Sequence, residues 1–273
     1  MNRALLNLAL VLGGLAMARS SRAANFPAFP VRRCSPDAVV SGTVCMDAYE
    51  ASVWRVPNPT TTNAALVSKL QAGKATETDL MAGGATQLTR NGDYPPCADN
   101  GQNCTNDIYA VSLPGVTPSA SITWFQAQIA CKNARKRLPS NAEWQAAVAG
   151  TPDPGPDNGT TDCNTTFQGT GDPTLTGART SCVSADGVFD MVGNLYEFVA
   201  DWLPLSTGCG SWTTVTSPTG DTQCLTGAAT TGEPGVLLRG GAFNDVEAAG
   251  PFTVNGALAP SFASFNVGFR CAR

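Results

Sequence analysis

The chain has no histidine among its 273 residues. That excludes acid–base catalysis centred on imidazole, and any metal centre that needs imidazole ligands. It has no Cys-x-x-Cys pair either, which argues against a thiolate zinc site. Charge is scarce, at 14% of residues with a formal net charge of −4, and no basic stripe is present. Such a chain is a poor nucleic-acid binder. After the first 23 residues no apolar run is long enough to span a bilayer. No internal repeat is apparent. No cysteine lies between Gly240 and Phe269, although ten lie elsewhere.

What is present begins with a targeting segment. Arg3 supplies a positive start, Ala4 to Ala18 is almost wholly apolar, and Ala16-Met17-Ala18 or Ser21-Arg22-Ala23 offers a small-residue cleavage site. The expected division is a signal peptide over 1–23, a leader over 24–44 and a domain over 45–273. Removing Arg3, Arg19 and Arg22 with the signal would take the net charge from −4 to −7. The destination implied is periplasmic, cell-surface or extracellular. Disulfides persist in such compartments, and ten is an even number of cysteines. Spacing suggests the local pairs Cys34–Cys45, Cys97–Cys104, Cys163–Cys182 and Cys209–Cys224, leaving Cys131 and Cys271; spacing does not prove connectivity. Three sequons, at Asn103, Asn158 and Asn164, offer glycosylation sites in a pathway that uses them.

Two helices are well marked. Thr123 followed by Gln126 is a capping box, and Ala127, Ala130, Cys131 and Ala134 then form one apolar stripe. Lys132, Arg135, Lys136 and Arg137 crowd its far end, as dipole-favoured end caps or as an anion site. Pro139 breaks that helix. Ser140 with Glu143 starts the next, whose buried stripe is Trp144, Ala147 and Val148. Residues 57–118 are rich in Pro, Gly and Thr. They read as a variable surface insertion with a short helix near Ala64 to Ala72. Leu237-Leu238-Arg239 and Val267 to Cys271 read as strands of a small sheet.

Several strings carry more than secondary structure. They are Thr123-Trp124-Phe125-Gln126, Lys136-Arg137-Leu138-Pro139-Ser140-Asn141-Ala142-Glu143-Trp144, Gly187 to Phe198 (GVFDMVGNLYEF), Leu238-Arg239-Gly240-Gly241-Ala242-Phe243 and Asn266-Val267-Gly268-Phe269-Arg270-Cys271. Cys45 to Ser52 adds an opening-strand string. In order and content these resemble the formylglycine-generating enzyme family, the sulfatase-modifying factors, over roughly 40–273 and most strongly over 122–273. The resemblance implies an α+β, loop-rich fold related to C-type lectins, with two helices packed on short antiparallel sheets. It also implies a Cys131–Cys271 link from helix to final strand.

For sites, the resemblance implies calcium at Asp190, Gly193, Leu195 and Glu197. Two carboxylates seven residues apart across a glycine turn can also be read directly as oxygen ligands for a hard cation. A second calcium is implied at Asn164 and Thr165, with Asp172 and Thr174. The family's copper is held by two cysteines five residues apart after a Gly-Gly-Ser string. Counting from Gly240-Gly241, those positions are Asp245 and Gly250, and the serine is Ala242. Neither is a soft sulfur donor, so copper is not expected. Asp245 and Glu247 offer a carboxylate pair as an alternative chemistry. Trp202, Trp212, Phe243, Phe252, Phe262 and Phe265 fall where the resemblance places a substrate groove. The reading is an exported, non-catalytic, calcium-stabilised module that uses this groove to bind a protein, peptide or glycan. The alternative is an active oxidoreductase working through residues not identified.

Overall fold

The computed structural model describes residues 33–90, 94, 97–104, 107–153, 157–166, 171–212 and 220–273. The expected signal peptide and residues 24–32 of the expected leader lie outside these residues. A hairpin of β1 (Ala38–Ser41) and β2 (Val44–Asp47) is followed by β3 (Ala51–Arg55). That strand is the centre of a three-stranded antiparallel sheet with β4 (Thr86–Leu88) and β5 (Ile108–Ser112) on its two sides. Helices α1 (Ala64–Gln71) and α2 (Glu77–Ala82) lie between β3 and β4 in the chain, and α3 (Trp124–Asn133) and α4 (Asn141–Ala147) follow β5. The second half forms a six-stranded sheet from β6 (Tyr196–Leu203), β7 (Gly208–Ser211), β8 (Thr222–Thr226), β9 (Gly235–Arg239), β10 (Val254–Leu258) and β11 (Val267–Phe269). Its order is β11-β6-β9-β10-β8-β7.

The α+β class is as expected, with two differences. Four α-helices are present among the described residues, and the large sheet is mixed, because β11 runs parallel to β6 and β10 parallel to β8. Both capping boxes form: the Thr123 hydroxyl accepts from the Gln126 N–H and the Ser140 hydroxyl from the Glu143 N–H, with each partner side chain reaching back. The apolar stripe of α3 is fully enclosed, with Ala127, Ala130, Cys131 and Ala134 all at 0% exposure. One core cluster gathers α3, β5, β6, β9 and β11; a second forms around Trp144, Met191 and Val199.

Residues 57–118 are not a surface insertion. They supply β5, buried along its whole length, and a third cluster of Leu66, Leu70, Leu80, Tyr109 and Val111 around Trp54. The compact unit also takes in residues ahead of Cys45. Asp37 and β1 belong to it, held by the Cys34–Cys45 bond and by antiparallel pairing with β2. The four local disulfides pair as the spacing suggests, and Cys131–Cys271, across 140 residues, pairs as the resemblance implies.

Lys136 is no anion site. Its ammonium is buried between Asp37 (2.6 Å) and Asp47 (2.7 Å), joining the chain before β1, the end of β2 and the α3–α4 connection. Arg273 adds a second cation on Asp37 at 2.8 Å.

Candidate functional site

The turn from Asp190 to Glu197 is built of left-handed residues, Asp190 at φ 57°, Gly193 at 71° and Asn194 at 57°. Gly193 must be glycine twice over: its φ is positive, and a Cβ there would collide with the Asn164 carbonyl. That close approach brings the two expected ion-binding segments together. The Asn194 N–H donates to the Asn164 carbonyl at 2.7 Å, and the Asn164 amide donates back to Asn194 Oδ1 at 3.0 Å. Thr174 reaches the same oxygen through its N–H at 2.8 Å. The Thr165 carbonyl accepts from the Val246 N–H at 2.7 Å, while the Thr165 hydroxyl is buried without a hydrogen-bond partner.

Glu197 is enclosed at 1% exposure, and both its oxygens are engaged. Arg270 Nε lies 2.8 Å from each oxygen, Arg270 Nη2 lies 2.5 Å from Oε1, and the Trp144 indole donates to Oε2 at 2.7 Å. Asp190 Oδ2 accepts from the Gly177 N–H at 2.7 Å, and Oδ1 is buried without a partner. Glu50 closes the far side, accepting from the Leu195 N–H at 3.0 Å and from the Asn194 amide. Burial pushes Asp190 up to about 7. Burial, then the charges of Asp190 and Glu197, hold Glu50 well above the usual carboxylate range. Burial would lower the Arg270 guanidinium, but Glu197, Glu50 and Asp190 outweigh it and raise it.

Of the expected calcium ligands, Glu197 has both oxygens taken by a guanidinium and an indole, whereas Asp190 keeps one oxygen without a partner. Among the described residues no three His, Cys, Asp or Glu side chains converge as metal ligands. The second expected set is engaged in part, with the Thr165 hydroxyl left without a partner. Asp172 pairs with Arg90 at 2.8 Å, and Asn164 Oδ1 faces Arg179 at 3.5 Å. Asn164 is 2% exposed with its amide engaged, so of the three sequons this one is closed in the folded chain.

The loop after β9 carries Asp245 and Gly250. Asp245 Oδ2 accepts from the Ala242 N–H at 2.8 Å, and the Tyr196 hydroxyl bonds the same carboxylate. Burial raises the Asp245 pKa. Glu247 is exposed and does not share that pocket, so the two acids form no pair. At Gly250 a Cβ would run into the carboxylate of Asp221, whose Oδ2 accepts from the Phe252 N–H at 2.8 Å. Asp221 is pushed up to about 6, by burial first and then by Asp153, although the Phe252 N–H and Arg239 oppose the shift. Between them Val246 is β-branched, 49% exposed and held at φ 53°. That conformation costs on the order of 1–3 kcal/mol and persists only where the surroundings enforce it. No cysteine is free; all ten are in disulfides.

Of the six expected groove aromatics one is enclosed and the other five are at least partly exposed. Phe243 is fully buried and packs at 5.9 Å on Phe265, which is 48% exposed. Trp202 is 45% exposed and stands edge-on to Trp124 (5.0 Å) and Phe125 (5.7 Å). Trp212 donates to the Phe252 carbonyl at 2.8 Å. Sequence reasoning quoted Trp124 and Phe125 in a family string and at a helix start, without placing them beside Trp202. It also passed over Glu50, Trp144 and Arg270 as partners of the 190–197 turn, though each stood in a quoted string.

A sequence profile of the sulfatase-modifying factor enzyme 1-like domain matches residues 62–273. Among solved structures the chain is similar to PvdO from Pseudomonas aeruginosa, with 21% identity and a TM-score of 0.44 over 84% of this chain and 80% of that one. It is similar to the I1 variant of Major Tropism Determinant, with 18% identity and a TM-score of 0.44 over 84% of this chain and 50% of that one. A third is CarF, at 18% identity and a TM-score of 0.37 over 57% and 67% of the two chains. The chain spans about half the length of the Major Tropism Determinant proteins it matches. A comparison with curated proteins found no match.

Proposed function

Because the chain belongs to the sulfatase-modifying factor enzyme 1-like family, we propose that it is an exported member that binds a ligand where its relatives would hold copper. The observation that carries this reading is the state of sulfur in the fold. Copper held by a cysteine pair needs thiolates. Here all ten cysteines are spent in disulfides, and the loop positions carry Asp245 and Gly250. The copper centre does not fit, and no oxidative step is derived from it.

What the 240–250 loop offers instead is a fixed surface. Asp245 pins it to Ala242, the Thr165 carbonyl holds the Val246 N–H, and Val246 and Phe265 stand out to solvent. The side-chain amides of Asn244 and Asn266, 3.4 Å apart, flank those two residues in the chain. Apolar groups set among amides suit a protein, peptide or glycan. Five disulfides support export, with the site periplasmic, cell-surface or extracellular. Among the described residues no helix is long and apolar enough to cross a membrane.

The test is incubation of the purified protein with a Cys-x-Pro-x-Arg peptide, copper and oxygen, read by mass spectrometry. The expected result is an unchanged thiol. Turnover above the protein-free background refutes the reading and favours an oxidoreductase.

A further inference from the structure

We propose that the chain carries a second ligand site, a polar groove beside the β3–β4–β5 sheet that takes an acidic glycan through Arg55 and Lys132. It shares no residue with the 240–250 loop. Two hollows adjoin there, of about 570 Å³ and about 250 Å³, and Pro59 and Thr60 line both. The larger lies in the size range of small-molecule pockets, roughly 300–1,000 Å³, but without the aromatic lining those usually have. Asn58, Thr60, Thr61 and Thr86 line it instead, an amide and three hydroxyls suited to the hydroxyls of a sugar.

The turn that forms one wall is tied down. The Asn58 carbonyl accepts from the Thr61 and Asn63 N–H groups at 3.2 and 3.1 Å. The Asn63 amide donates to the Pro57 carbonyl (2.6 Å) and to the Gly83 carbonyl (3.0 Å). Arg55 is the one exposed residue of β3 and lies opposite Thr86 of β4. Asp107 meets its Nε at 3.4 Å, and its terminal nitrogens have no partner among the described residues. A carboxylate on one edge orients a guanidinium and leaves its outer fork for a bidentate carboxylate or sulfate. Lys132, exposed in the last turn of α3, brings an ammonium to the smaller hollow beside Tyr109 and Asn133. Asp107, facing Arg55, is the one acid that lines either hollow. Two cations in adjoining hollows, with hydroxyls around them, match acid groups repeated along a sugar chain. A neutral sugar leaves both cations unmatched, and a bare anion leaves the hydroxyls unused.

The experiment is titration calorimetry of the purified protein, disulfides intact, with three oligosaccharides of equal length: a uronic-acid chain, a sulfated chain and a neutral chain. At low salt at least one acidic chain is expected to bind and the neutral chain not to, with affinity falling as salt rises. The tighter of the acidic chains identifies the acid group. Arg55→Gln and Lys132→Gln are each expected to weaken that binding about tenfold, the worth of one charge-assisted contact. Their melting temperatures should match the parent's, because both side chains are exposed. Lys69→Gln, an exposed charge outside both hollows, is expected to change affinity less than about twofold. No binding by either acidic chain, or equal binding by the neutral one, overturns the proposal. So does parent-like affinity in the Arg55 and Lys132 variants, or an equal loss with Lys69→Gln.

Discussion

Replacing Cys131 and Cys271 together by alanine opens a covalent loop of 140 residues. In the chain-entropy picture, closing a loop of that length removes about 17 cal/mol/K from the unfolded ensemble, or about 5 kcal/mol at 25 °C. The local bonds Cys163–Cys182 and Cys209–Cys224 lie inside that loop and shorten it only slightly, because the dependence on length is logarithmic. Both sulfurs are fully buried, where α3 meets the chain after β11, so truncation also removes packing. For a domain of this size, about 5 kcal/mol corresponds to a melting temperature lower by roughly 10–20 °C. The unfolded chain also becomes less constrained, so the denaturant slope should rise. Urea unfolding of parent and double variant, with non-reducing peptide mapping of the parent, measures all of this. A loss below about 1 kcal/mol with an unchanged slope would refute the reasoning. So would a different partner for either cysteine.

Asp47 is fully buried beside Lys136, yet burial outweighs that lysine and, with Asp37 adding to it, pushes Asp47 up to about 6. Asp37 goes the other way: burial raises it, but Lys136 and Arg273 prevail and hold it at about 2. The raised group binds its proton more tightly in the folded chain, so its stabilisation is full below pH 3.8 and fades as pH climbs through 6. From pH 5 to pH 8 that amounts to about 1.4 kcal/mol of lost stability. Asp47→Asn should shrink the pH 5 to pH 8 difference in urea stability by about that amount; a difference left intact would show that Asp47 does not titrate there. Expression in a glycosylating secretory host should place glycan on exposed Asn158 and leave Asn164 bare. A well-folded product modified at Asn164 would contradict its burial.

The features legible in the chain were local ones. Thr123–Gln126 and Ser140–Glu143 announce their helices because a capping box is complete within four residues. The stripe through Cys131 was readable because 3.6-residue periodicity needs no partner to be seen. Missed features depend on distant partners. Pairing of Ala51 with Ser112 makes a buried strand of the short Ile108-Tyr109-Ala110-Val111 run, which is set in a Pro-, Gly- and Thr-rich stretch that reads as loop. The Asp190–Glu197 carboxylates were recognised as special, but Glu197's hydrogen bonds to Arg270 span 73 residues. The collision of a Gly250 side chain with Asp221, and the positive φ of Val246, likewise follow from three-dimensional surroundings.

The β6–β11 pairing orders events during synthesis. A chain that emerges N-terminus first completes the 190–197 turn well before residues 267–271 exist. Until they arrive, Glu197 has no counter-charge from Arg270, Cys131 keeps a reactive thiol, and β6 shows an unpaired edge. One short stretch closes all three vulnerabilities together, so a translation pause or cut upstream of Val267 would release a sticky, thiol-bearing intermediate rather than a slightly shortened domain.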